Sequence, residues 1–135
     1  MSDEEHATTP AVSNEVWTLA EQEGGRIRSI SYELLAWGRH ITEKMPGAPL
    51  CSVVLGARIE PADIEELIAH GADKVYVAEA PGLEHFLVEP YAAVLERAVR
   101  EHRPNVLIAA ATTTGRTVMP YLACLLYTSP SPRDL

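Results

Sequence analysis

The stretch that most limits the fold is 104–123, where an apolar run, three threonines with a glycine, and a new helical pattern follow one another without a break. Residues 106–111, bounded by Pro104 and Thr112, form the continuous apolar run expected of a parallel strand covered on both faces. Thr112, Thr113, Thr114 and Gly115 then fall just past its carboxyl end. Open α/β sheets place their binding crevice there, and a following helix turns its first unpaired N–H groups outward. This loop, with Arg116 behind it, is the candidate site for an anion or a partner.

The rest of the chain repeats the same grammar. Residues 16–20 (VWTLA) read as a β-branched and aromatic strand, closed by Glu21-Gln22-Glu23 and a Gly24-Gly25 turn. From Ser29 a helical period takes over, with Ile30, Leu34, Trp37 and Ile41 as its inner stripe and Pro46-Gly47 as its end. Residues 50–55 form a second apolar strand. Pro61 then opens a helix with Ile64, Leu67 and Ile68 inside, and Gly71 caps it. Residues 74–77 are a short third strand, and 78–89 a loop with one helical turn. Pro90 opens a helix facing inward through Tyr91, Val94, Leu95, Ala98 and Val99, which stops near Arg103 because Pro104 disfavours helical geometry before it.

Four strand-helix cycles with short connections predict an α/β, Rossmann-like parallel sheet with helices on both faces and right-handed crossovers. The inferred strand order is 3-2-1-4, which places the switch point beside Glu21 and Thr112. The fourth strand then lies on an open edge, so the fold reads as incomplete at its C-terminal end. Residues 1–14 lack periodicity and read as a disordered lead-in. The domain runs over 15–123. Beyond it, 124–135 breaks period and composition together and resembles a translated sequencing adapter, a non-native tail to be kept out of the fold.

Charge and composition exclude several classes. At −8 with a pI near 5.0, and with Arg and Lys scattered, the 135-residue chain lacks the footprint of a nucleic-acid binder. No apolar run approaches the roughly 20 residues of a membrane helix, and the acidic start is no signal peptide, so the protein is expected in the cytoplasm without membrane insertion. Two cysteines exclude a disulfide framework, and Cys51 reads as a small core residue.

Neither a G-x-G-x-x-G fingerprint nor a phosphate loop is present, and no serine sits in a G-x-S-x-G elbow. The five histidines make no recognised zinc pattern, so no metal site is assigned. Asp63, Glu65 and Glu66 read as the solvated face of the second helix rather than an acid/base pair. No catalytic residue is assigned. Two points stay open at this level. The threonines serve either as a helix cap, through Thr113 or Thr114, or as a binding loop. Arg116 opposes the helix dipole and either pairs locally with Glu21 or meets a partner or cofactor.

Residues 16–21, Gly38-Arg39, 70–77, and 111–116 with Met119-Pro120 together resemble the N-terminal domain of the electron transfer flavoprotein alpha subunit, over about 16–123. The resemblance implies an adenine nucleotide alpha-hydrolase-like fold. It also implies an FAD-containing heterodimer with a beta subunit. That heterodimer carries electrons from dehydrogenases, notably the acyl-CoA dehydrogenases of fatty acid beta-oxidation, to a quinone oxidoreductase. The protein would be an electron carrier rather than a stand-alone catalyst. FAD is held mainly by the C-terminal half of the alpha subunit, so no cofactor-binding residue is carried over and this fragment is a scaffold. The alternative is a small nucleotide-binding module of universal-stress-protein type, whose glycine-rich phosphate loop is missing here.

Overall fold

The computed structural model describes residues 12–127. Its centre is a parallel sheet of β1 (Val16–Leu19), β4 (Leu50–Gly56), β5 (Lys74–Glu79) and β6 (Val106–Ile108), in the order β5-β4-β1-β6. Numbered as the four expected strands, that is 3-2-1-4. β1 pairs in register with β4 (Val16 with Leu50) on one side and with β6 (Val16 with Val106) on the other. All of β4 is buried, as its unbroken apolar sequence requires of a central parallel strand. Between β1 and the first helix, Gln22–Glu23 (β2) and Arg26–Ile27 (β3) close an antiparallel hairpin, and Gly24 and Gly25 hold positive φ at its tip.

Helices α1 (Ile30–Thr42) and α2 (Pro61–Ala69) cover one face, and α3 (Val88–His102) and α4 (Thr113–Tyr127) the other. Leu35, Leu50, Val54 and Leu67 fill the first core layer; Trp17, Cys51, Leu55, Leu95 and Val118 fill the second. Burial pushes the Cys51 thiol up to about 12, with the Glu15 charge adding to it, so this cysteine is an inert core residue. Pro61 opens α2, and Gly71 with φ +117 follows its end, as expected. Tyr91 and Leu95 are buried, and Val94, Ala98 and Val99 pack beside them, as expected of α3. α3 stops at Arg103, held left-handed with φ 50 before Pro104.

Several expectations need correction. Trp37 is 67% exposed; α1 instead buries Ser31, Leu34, Leu35, Gly38 and Thr42. The helix is rolled about its axis because it packs closely on the sheet through Gly38, where a Cβ would stand 2.6 Å from Leu50 Cδ1 and 3.1 Å from Thr18 Cγ2. Ile68 is exposed while Leu67 is buried, since α2 meets the sheet along a narrower stripe. β6 spans only Val106–Ile108 and is half-buried, because an outer strand has a neighbour on one side only. α4 continues to Tyr127, with Leu125 and Leu126 against the core, as apolar residues at helical spacing do. Residues 1–11 of the lead-in and 128–135 of the tail lie outside the described residues.

Candidate functional site

At the carboxyl end of β1 the chain is gripped at Glu21. Its N–H donates to Ser31 Oγ at 2.8 Å, and its carbonyl accepts from Ser31 Oγ at 3.2 Å and from Arg28 N at 2.8 Å. These contacts fix the backbone and aim the side chain, part of a residue only 8% exposed, at the turn between β6 and α4. There the Thr112 hydroxyl donates to Glu21 Oε2. The same Thr112 oxygen accepts from Gly115 N at 3.2 Å, and the Thr112 carbonyl accepts from Arg116 N at 2.8 Å. Thr112 is thus the N-cap of α4, rather than Thr113 or Thr114. One hydroxyl latches the ends of the two strands together.

The predicted loop residues therefore divide. Thr112 and the buried Gly115 point inward, and at Gly115 the place of a Cβ is filled by the Ala110 carbonyl oxygen, so only glycine fits. Thr114 is half-buried, while Thr113 and Arg116 are exposed. Arg116 makes no ion pair with Glu21, which is taken up by Thr112. The structure brings Glu21, Thr112, Thr114 and Gly115 into one place and leaves Arg116 exposed on the rim.

The loop is already supplied with an anion. Held by the Thr112 hydroxyl, the Glu21 carboxylate stands beside the amino end of α4, where a phosphate would gain from the helix dipole. Beside it a cleft of about 50 Å³ is lined by Glu21, Gln22, Glu23, Arg28, Tyr91 and Thr114, among others. That is room for a few water molecules, against the several hundred cubic ångströms of a cofactor pocket. These residues do not fit FAD: the cleft is too small, two carboxylates face it, and the backbone at Gly115 is closed by Ala110. Among the described residues no group of three or more His, Cys, Asp or Glu stands where a metal could bind.

Three polar anchors hold this edge and the opposite one, and sequence reasoning missed them. Gln22 Nε2 donates to Tyr91 Oη at 3.0 Å and to the Glu84 carbonyl at 3.2 Å, while Gln22 Oε1 accepts from Gly25 N at 2.9 Å. Tyr91 Oη lies within reach of the Leu55 and Leu83 carbonyls. Asp63, far from solvated, accepts from Arg26 Nε at 2.8 Å and Ile27 N at 2.9 Å, fastening the hairpin to α2. Those hydrogen bonds hold its carboxyl below the usual range. At the amino edge, buried Glu15 accepts from Trp17 Nε1 at 2.8 Å, Lys74 Nζ at 2.7 Å and Tyr76 Oη at 3.0 Å. The only local signal was an acidic residue beside an apolar strand, which does not name its partners.

No helix among the described residues is long and apolar enough to cross a membrane. Residues 16–131 match the family model described as the electron transfer flavoprotein domain, a match that runs past the break at 123. The chain is 40% identical over 113 residues to the electron transfer flavoprotein subunit alpha of Clostridium acetobutylicum, and 38% over 113 to that of Megasphaera elsdenii. Each alignment covers 84% of this chain and 33% of the relative. Protein FixB of Rhizobium meliloti is 35% identical over 116 residues, again 84% of this chain and 33% of the relative. The chain spans about a third of the length of the curated relatives it matches.

Proposed function

Because the chain belongs to the electron transfer flavoprotein domain family, we propose that it is the N-terminal scaffold domain of an alpha subunit, one part of a cytoplasmic heterodimer that carries electrons on FAD. In this reading the flavin is held by the portion of the alpha subunit that lies outside the third of the relatives' length matched here, together with a beta subunit. Dehydrogenases, the acyl-CoA class among them, deliver electrons, and a quinone oxidoreductase receives them. The protein's own contribution is to position the flavin-bearing parts, while the cofactor supplies the redox chemistry.

One observation carries the scaffold role: Glu21 is latched by Thr112 at the amino end of α4, in the crevice where a nucleotide-binding relative of this fold class would place phosphates. A carboxylate there repels a phosphate, which also weighs against a stand-alone nucleotide module. For the family domain we propose the bounds 15–123, with 1–14 as lead-in and 124–135 foreign to it; the helix that continues to Tyr127 and the family match to 131 weigh on the other side. Sequencing the native gene past codon 123 tests that boundary; a frame that keeps Cys124 and the residues after it would move it.

The assembly test uses the whole chain, mixed with a purified electron transfer flavoprotein beta subunit and examined by sedimentation velocity. A complex containing both proteins supports the reading. Two independent species at all concentrations, combined with saturable ATP binding by the chain, would replace it with the nucleotide module.

A further inference from the structure

We draw no further inference here: the strongest candidate, the apolar groove of about 270 Å³ between β5 and α3 walled by Tyr76, Val94, Ala98 and His102, is an uncovered face of the sheet, and nothing in the structure shows what covers it.

Discussion

Replacing Glu15 removes a buried carboxylate that three side chains share, and the structure sets the size of the effect. Its carboxylate takes hydrogen bonds from Trp17, Lys74 and Tyr76, tying β1 to β5 across β4. Lys74 is half exposed and recovers water when its partner is removed, so its ion pair contributes little. Trp17 is fully buried. Its indole N–H, left without an acceptor, costs about 1–3 kcal/mol, and the half-buried Tyr76 hydroxyl adds to this. Glu15→Ala should therefore cost about 3 kcal/mol, roughly a hundredfold in the folding constant. Glu15→Gln keeps an acceptor for Trp17 but turns its amide toward Lys74, and should cost about 1 kcal/mol. The pH dependence has a definite sign. Burial alone would raise the Glu15 pKa, but the hydrogen bonds from Lys74, Trp17 and Tyr76 outweigh it and leave it below the ordinary 4.5. A depressed carboxylate pKa stabilises the fold fully above 4.5 and loses that contribution as the pH falls through the lower, folded-state value. Urea unfolding can be followed by the fluorescence of Trp17, distinguishable from exposed Trp37 by its buried environment. The gap between wild type and Glu15→Gln should be open at neutral pH and narrow below 4.5. A Glu15→Ala variant as stable as wild type at neutral pH, or a gap to Glu15→Gln that does not change with acid, would refute the reasoning.

The other anchors make separate predictions. Thr112→Val removes both the cap of α4 and the donor to Glu21 and should cost about 1–2 kcal/mol, whereas Thr112→Ser should stay near wild type; equal melting curves for all three proteins would contradict the latch. Gly38→Ala forces a methyl against Leu50, and its gain in helix propensity of about 1 kcal/mol should be exceeded by overpacking of about 1–3 kcal/mol, so denaturant midpoints should fall. Ser52 Oγ is buried without a hydrogen-bond partner, and Ser52→Ala should raise stability by about 1 kcal/mol; a clear loss would mean that the hydroxyl has a partner. Asp63→Asn should speed amide hydrogen exchange at Ile27, whose N–H the carboxylate holds, and leave the core strands protected.

The sheet was legible because its central strands are apolar runs and its crossovers have one permitted hand, which limits the possible orders, and the observed β5-β4-β1-β6 is the Rossmann-like one. Helix phase was less so. Apolar periodicity gives weight to large residues such as Trp37 and Ile68, but α1 lies on the sheet through Ser31, Gly38 and Thr42, where small side chains allow close approach. The site was legible as a place, since Thr112 and Glu21 follow from the strand order, yet its chemistry was not. Pairing Glu21 with Arg116 looked natural by charge. The contact is instead decided by the direction of the first turn of α4, which sends Thr112 inward and Arg116 outward. Asp63 read as solvated because its partners, Arg26 and Ile27, lie 37 and 36 residues away on a hairpin, a separation that no local pattern encodes.

The most direct test of the scaffold role is a titration of FAD into the purified chain, read by flavin fluorescence polarisation. A domain whose crevice is filled by Glu21 and closed at Gly115 should show no saturable uptake. Stoichiometric binding of one flavin per chain would contradict the account, and its loss in Thr112→Val would place the flavin at the latch itself.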